Sequence, residues 1–195
     1  MSTTSFEIGG LHHLALVCKD MERTVDFYTN KLGMKLNKGF DLGGGYGQHF
    51  FFDMGDGQDL AFFWFRDAAT AQPGIASAAN LVAAGTGTIT SAHGSMNHVA
   101  FSVSKDKIDG YREELCARGV DCSQVVNHDD VITGEANRTS DMPSDKTWLR
   151  SFYFFDPDGI MLEFCATLST GVPIADLPVN EKGIKADGQS ITGAV

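Results

Sequence analysis

Hydrophobic and polar residues alternate in several short runs of this chain, a pattern typical of β-strands that bury one face. In the first third of the chain, one such run is followed by apolar residues at helical spacing. Asp20 is a typical residue to begin that helix, and Gly33 is a typical residue to end it. The pattern therefore predicts a β-α-β-β-β order. The four strands are predicted at about 11–18, 34–40, 46–53 and 58–65.

The same order of elements returns in the second half of the chain. The run HLALV at 13–17 recurs as HVAFS at 98–102, and FFFDMGDG at 50–57 recurs as YFFDPDG at 153–159. Internal repetition of this kind indicates two copies of one small unit. For the second copy we expect a helix at about 106–118 and strands at about 97–103, 121–126, 148–155 and 160–166.

These patterns divide the chain into two βαβββ modules, at 9–66 and 96–166. Between them, 67–95 is rich in Ala, Gly, Thr and Ser, and we expect a linker or a loop that lies across a site. A polar insertion at 127–146 interrupts the second module. The tail at 167–195 has little periodicity, and either wraps the body or is partly disordered. The predicted fold class is α+β, with two modules forming curled mixed sheets around a shared metal-binding cavity.

Composition narrows the possible partners and the location. The chain has 195 residues, of which 43% are hydrophobic and 21% charged, and its net charge is −10. Because no cluster of Lys and Arg is present, nucleic acid is not an expected partner. No apolar stretch is long enough to span a membrane, and the first residues do not resemble a signal peptide, so we expect a cytoplasmic protein. Four cysteines without a CxxC pair are expected to be reduced thiols.

Strand alternation assigns the chemically interesting side chains to one face of each sheet. His13 shares a face with Ala15 and Val17, whereas the neighbouring residues on the opposite face are more apolar. His98 and Glu163 are placed in the same way in the second module. Because the more apolar faces should pack on the helices, these three side chains are expected on the concave sides of the sheets.

Packing the two concave halves together would bring His13, His98 and Glu163 to one point. A buried carboxylate needs a cation or hydrogen-bond donors, and an arginine could serve instead of a metal. Two imidazoles and one carboxylate suit Fe(II), Mn(II), Zn(II), Ni(II) or Co(II), with positions left open for substrate or water. The sequence thus predicts a divalent-metal site.

The chain resembles the vicinal oxygen chelate superfamily, which includes glyoxalase I, bleomycin-resistance proteins, methylmalonyl-CoA epimerase and type I extradiol dioxygenases. The matching segments are LHHLAL at 11–16, Phe27-Tyr28 with Leu32-Gly33, NHVAF at 97–101 and FDPDGIMLEF at 155–164. The resemblance implies that the first ligand is His13 rather than His12. It also implies a fourth ligand position, which falls here on Ala61. Since alanine cannot bind metal, Ala61 argues against glyoxalase I and the epimerases.

The resemblance favours an extradiol-type dioxygenase, which would hold Fe(II) and cleave a catecholic substrate with O₂. Such enzymes are similar to this chain in having a tyrosine on the strand before the glutamate, which is Tyr153 here. Its alternative role is packing in an aromatic strand. The acid/base histidine of those enzymes is replaced by Gln58 or Asp59, and of these only Asp59 could move a proton. His128 and His49 are the other acid/base candidates, although histidines placed like these are more often surface or loop residues.

Two other classes of function stay open. A lyase or isomerase of the same fold would use the metal to stabilise an enediolate, with Asp59 as its base. A non-catalytic binding or resistance protein would hold a planar or cationic drug between aromatic residues. We expect a small aromatic substrate and, from the superfamily, a homodimer. Aromatic wall candidates are Phe40, Phe50, Trp64 and Trp148, together with Phe63 and Phe65, which alternation turns inward.

Overall fold

A first mixed sheet is built from residues 13–65. The computed structural model describes residues 9–72, 75–78, 90–129 and 139–169. Its first four strands form one sheet in the order β1-β4-β3-β2. Strand β1 runs parallel to β4, and the other neighbours are antiparallel. The strands are β1 (His13–Cys18), β2 (Leu36–Asp41), β3 (Gly47–Gly55) and β4 (Gln58–Phe65).

A second mixed sheet repeats this plan and adds a short strand. Its order is β5-β9-β8-β6-β7, and β5 runs parallel to β9. The predicted α+β class with two curled mixed sheets is confirmed. Strand β1, which begins with His13, lies at the edge of the first sheet. Strand β5, which directly follows His98, lies at the edge of the second. The strands are β5 (Val99–Ser102), β6 (Val126–Asp129), β7 (Thr139–Ser140), β8 (Thr147–Phe155) and β9 (Met161–Thr167).

The two predicted helices are present. Helix α1 (Met21–Asp26) continues as a π-helical turn (Phe27–Lys31), and helix α2 spans Ile108–Ala117. Asp20 begins α1 as predicted, because its Oδ1 accepts a hydrogen bond from the Arg23 backbone N–H at 3.0 Å. In the part of the chain that the structure describes, no helix has the length and hydrophobicity needed to cross a membrane.

The strand predicted at 121–126 is wrong in its bounds. Cys122 makes only an isolated bridge to Phe154, and the regular strand β6 begins at Val126. The cause is Ser123, whose hydroxyl accepts the Tyr153 backbone N–H at 2.9 Å in place of a strand carbonyl. The predicted insertion at 127–146 is therefore partly sheet. Parts of three predicted segments lie outside the described residues. They are 130–138 of the insertion, 73–74 and 79–89 of the linker, and 170–195 of the tail.

One hydrophobic core joins the two modules. The apolar faces of both sheets and both helices contribute to it, so these faces are turned toward each other. The concave faces therefore point away from the core, and on β1 the residues His13, Ala15 and Val17 are exposed. This corrects the expectation that the concave halves pack together, because burial of the large aromatic faces dominates. The fully buried side chains of the shared core include Tyr28, Phe52, Leu60, Phe62, Ile108, Phe152, Phe154 and Leu162.

Polar contacts also connect the modules. The Tyr28 hydroxyl donates to Asp156 Oδ2 at 3.2 Å, and the Lys19 backbone N–H donates to Asp158 Oδ2 at 2.9 Å. Burial raises the pKa of Asp156 to about 6, although the backbone N–H groups that it accepts act in the opposite direction. The turn before β9 is therefore a fixed part of the contact between the modules.

Candidate metal centre

The second concave face brings two predicted ligands together. His98 Nε2 lies 3.1 Å from Glu163 Oε2, and the Glu163 side chain is only 5% exposed. His98 directly precedes β5, and Ala100 of β5 is the register partner of Glu163 on β9. The parallel pairing of β5 with β9 therefore places the imidazole beside the carboxylate.

Glu163 remains ionised despite its burial. Burial acts to raise its pKa, but hydrogen bonds with the His98, Ser151 and Tyr153 side chains outweigh that effect, so the pKa lies below its usual range. A buried carboxylate of this kind is stabilised only where donors or a cation face it. The site is built around this negative charge.

Tyr153 belongs to the same cluster, as the sequence predicts. It is the register partner of Glu163 on β8, and its ring meets that of His98 edge-on at a centroid distance of 5.8 Å. Burial raises the pKa of the Tyr153 phenol to about 12, so it stays protonated at neutral pH. Its hydroxyl can therefore donate a hydrogen bond to an oxygen atom.

His128 also reaches this face, on strand β6 rather than in a loop. Its Nε2 lies 3.0 Å from Ser151 Oγ. Burial lowers the pKa of His128. The negative charges of Glu163 and Asp129 act to raise it, but burial has the larger effect, so the ring is neutral at pH 7. Sequence analysis missed Ser151, which connects His128 with Glu163. The available signal was alternation, since Ser151 lies two residues before Tyr153 on the same face.

The hydrogen bonding of His98 defines what the centre can bind. Its Nδ1 lies 2.8 Å from Asn97 Oδ1, and the Asn97 amide nitrogen donates to Ser91 Oγ at 3.0 Å. The two ring nitrogens of His98 thus face an amide oxygen and a carboxylate, and both are acceptors. A neutral imidazole carries one N–H and satisfies only one of them. A second ring proton or a divalent cation between Nε2 and Glu163 would satisfy the other, so this donor set fits a metal.

His13 and Asp59 lie on the first sheet instead. They are register partners on β1 and β4, and Asp59 Oδ1 accepts from Asn37 at 2.9 Å. Among the residues that the structure describes, no three His, Cys, Asp or Glu side chains are close enough to hold a metal. Within one chain, therefore, His13 does not join His98 and Glu163, because the shared core holds the two concave faces apart.

The register identifies the residue of the first sheet that corresponds to Glu163. Ala15 pairs with Ala61 on the first sheet as Ala100 pairs with Glu163 on the second. Ala61 is fully buried. The counting from the turn glycines therefore located the equivalent position correctly, and no carboxylate occupies it.

The first concave face is aromatic. His49 stacks on Phe63 at a centroid distance of 3.6 Å, and Phe51 lies 4.2 Å from His49 and 5.8 Å from His13. His49 is buried on β3, where its Nδ1–H donates to the Phe62 carbonyl at 3.0 Å, so the surface or loop position considered for it is wrong. Two of the proposed wall residues pack instead against the shared core, namely Phe50 and Trp64.

A family model matches residues 10–164, and its description is Glyoxalase/Bleomycin resistance protein/Dioxygenase superfamily. The chain belongs to this superfamily. Its matched region contains both sheets up to Phe164. The resemblance inferred from the sequence is therefore confirmed.

Several solved structures share the fold at low sequence identity. SMU.1112c is 22% identical with a TM-score of 0.55, covering 82% of this chain and 99% of its own. A glyoxalase family protein from Enterococcus faecalis is 21% identical with a TM-score of 0.53 and the same two coverages. A variant of the fosfomycin resistance protein FosX from Listeria monocytogenes, complexed with Mn(II) and 1S,2S-dihydroxypropylphosphonic acid, is 20% identical. Its TM-score is 0.50, covering 80% of this chain and 91% of its own.

Proposed function

We propose that this protein is a divalent-metal-dependent enzyme, and specifically an extradiol-type dioxygenase that cleaves a catecholic substrate with O₂. The observation that supports a metal is the position of His98 between two acceptors, Asn97 Oδ1 and Glu163 Oε2. The superfamily also accommodates metals, since the FosX structure contains Mn(II). Fe(II) is the metal that this reaction would use.

The third ligand in this proposal is His13 of a second copy of the chain. Among the strands that the structure describes, β1 and β5 each lie at the edge of a sheet, and sheet edges can pair with another chain. Pairing β1 of one copy with β5 of the other would bring His13 beside His98 and Glu163. Leu11 and Val17 near His13 are each 48% exposed in the single chain, and such a contact would cover them. The expected homodimer would thus form the shared cavity.

The aromatic face supports an aromatic substrate. If His13 joins the centre from a second copy, Phe51 and the stacked pair of His49 and Phe63 come with it. Flat ring surfaces of this kind favour planar aromatic ligands through stacking. The polar second face would then hold the reacting oxygens, and the aromatic first face would hold the ring.

A bound Fe(II) ion would supply a Lewis acid for two neighbouring substrate oxygens and electrons for reaction with O₂. Tyr153, which stays protonated, would donate a hydrogen bond to a substrate oxygen. Neutral His128 would accept the substrate proton at a ring nitrogen and return it to the product. Glu163 would keep its negative charge and serve as a metal ligand beside His98. Water would be excluded by the aromatic face.

A lyase or isomerase acting through an enediolate is the second candidate. The observation that favours it is the pairing of Asp59 with His13 in the sheet register, which would carry a carboxylate to the assembled site. Asp59 would then remove a proton next to a carbonyl. This reaction would consume no O₂, which separates it from the first candidate.

The test combines elemental analysis of untagged protein with O₂ uptake on a panel of catechols after anaerobic loading with Fe(II). We expect near-stoichiometric metal and O₂ uptake in the parent, and loss of both in His98→Ala and Glu163→Ala. His93→Ala is the matched control, since His93 is exposed in a turn outside both sheets. Metal without O₂ uptake on any catechol would favour the lyase or isomerase. Absence of metal in the parent would overturn the proposal.

A further inference from the structure

The two candidate histidines share a contact that the proposed function does not use. His98 Nδ1 lies 2.8 Å from Asn97 Oδ1, and His13 Nδ1 lies 2.8 Å from His12 Nδ1. In both modules, therefore, the residue directly before the histidine holds the same ring nitrogen. The two preceding residues differ in type, but each can accept a hydrogen bond.

This contact depends on where the histidines lie in the chain. Within a regular strand, adjacent side chains point to opposite faces and do not meet. His12 lies in a bend directly before β1, and Asn97 and His98 precede β5. The backbone is irregular at both places, so the preceding side chain can lie alongside the ring.

We infer that His12 and Asn97 are positioning residues, which fix the rings of His13 and His98 so that each presents Nε2 to the metal. The Asn97 amide oxygen and the Glu163 carboxylate both only accept, so when a metal takes the lone pair of His98 Nε2, the ring hydrogen lies on Nδ1 in the contact with Asn97. The equivalent arrangement in the first module has His13 Nδ1–H donating to His12 Nδ1. A ligating histidine is commonly oriented by a partner on its other nitrogen.

Asn97 is itself held in place, which makes it suitable for this role. Its amide nitrogen donates to Ser91 Oγ at 3.0 Å, and its backbone carbonyl accepts from Ser77 Oγ at 2.7 Å. The chain of contacts therefore runs from Ser91 through Asn97 to His98 and Glu163. A side chain fixed at both ends restricts rotation of the imidazole that it contacts.

The test exchanges the two preceding residues. His12→Leu and Asn97→Leu remove the acceptor, whereas His12→Asn and Asn97→His each supply the acceptor used by the other module. The inference rests on the proposed function, because it assumes that the site binds a metal. Titration calorimetry with Mn(II) measures that binding. We expect the Leu variants to lose about 10- to 100-fold in Mn(II) affinity and the exchange variants to stay close to the parent.

Ring ¹⁵N NMR of the metal-free protein at alkaline pH shows which ring nitrogen carries the hydrogen, independently of metal binding. We expect the Nδ1–H tautomer at His13 in the parent and in His12→Asn, and its loss in His12→Leu. The role of Asn97 is measured by Mn(II) affinity alone, because the Glu163 carboxylate also accepts at His98 Nε2 in the metal-free protein. Asn97→Asp keeps the acceptor oxygen and replaces Asn97→His if that variant is unstable. An Nε2–H ring at His13 in the parent, or a His12→Leu variant that keeps the Nδ1–H tautomer, would overturn the inference. If the tautomers are as expected but Mn(II) does not bind, the proposed function fails and the positioning role stands.

Discussion

The two sheets are alike on the side that faces the core and different on the side that faces away from it. At equivalent register positions the core-facing side chains are closely similar, whereas the outward-facing ones differ in chemical character, and three of the four pairs are more polar in the second module. The core-facing pairs are Phe50 and Phe152, Phe52 and Phe154, Leu60 and Leu162, and Phe62 and Phe164. The outward-facing pairs are Phe51 and Tyr153, Ala61 and Glu163, His49 and Ser151, and Phe63 and Cys165.

This difference teaches how a repeated fold acquires a site. The core-facing positions must fill one shared interior, so large changes there would leave cavities or clashes. The outward-facing positions do not fill that shared interior. One module has become an aromatic surface and the other a polar cluster, and the two could serve different parts of one ligand. The following predictions test whether the two faces work together.

The largest effect is expected when two inactive variants are mixed. His13→Ala and Glu163→Ala should each lower activity at least about 1,000-fold, because each removes a ligand from every site. In a dimer that shares its sites, a mixed pair regains one complete site, so mixing after reversible dissociation should restore about a quarter of parental activity. Activity is measured before and after subunit exchange. No recovery on exchange would contradict a site shared between copies.

The next largest effect is expected from making the modules more alike. Ala61→Glu places a carboxylate at the fully buried position that is equivalent to Glu163. Because Phe51 rather than Tyr153 lies opposite, the new carboxylate has no such donor, and the variant should lose about 4 kcal/mol in free energy of unfolding. Urea denaturation measures this loss, with Ala61→Leu as the control for size. Equal stability of Ala61→Glu and the parent would show that the first face can hold charge.

The contact between the modules should make stability depend on pH. Asp156 binds its proton more tightly when folded, with a pKa of about 6, so it contributes stability below about pH 4 that is lost as pH rises through 6. The loss should approach about 3 kcal/mol at neutral pH. In Asp156→Asn this decline should be absent, which denaturation curves between these pH values measure. An unchanged pH profile in the variant would assign the decline to other groups.

The smallest effects are expected from substitutions at Phe51 and Tyr153, which occupy equivalent positions in the two sheets and would contact different parts of the substrate. Tyr153→Phe should lower kcat about 10- to 100-fold with metal content unchanged, because it removes one hydrogen-bond donor. Phe51→Leu should instead raise KM about 10-fold, because it removes ring stacking. Steady-state kinetics on one catechol separates the two. The division of roles between the faces would be wrong if both variants changed the same parameter.

Much of this arrangement could be predicted from sequence because it follows from local rules. The helix limits set by Asp20 and Gly33 and the outward position of His13, opposite Leu14 and Leu16, follow from capping and alternation. The match of Ala61 to Glu163 follows from the turn glycines. Each of these features depends on a few residues that are close together in the chain, so one sequence is enough to predict it.

Other features could not be predicted, because they depend on contacts distant in sequence. Aligning the repeats on their aspartates matched Phe50 with Tyr153, whereas the sheet register matches Phe51 with it, and a slip of one residue exchanges the two faces. An irregularity in the β3–β4 pairing, between Asp53 and Gly55, causes this slip. Which faces of the two sheets meet depends on the whole core, and for the same reason the separation of His13 from Glu163 was not foreseen.

The edge positions of β1 and β5 have a consequence for how much protein a cell must contain. Under the proposed assembly, a complete centre exists only where two copies meet, so its abundance rises more steeply than the amount of chain when the copies are dilute. Scarce protein would then be inactive although each copy is folded. Expression level would act as a threshold for activity, without a separate regulator.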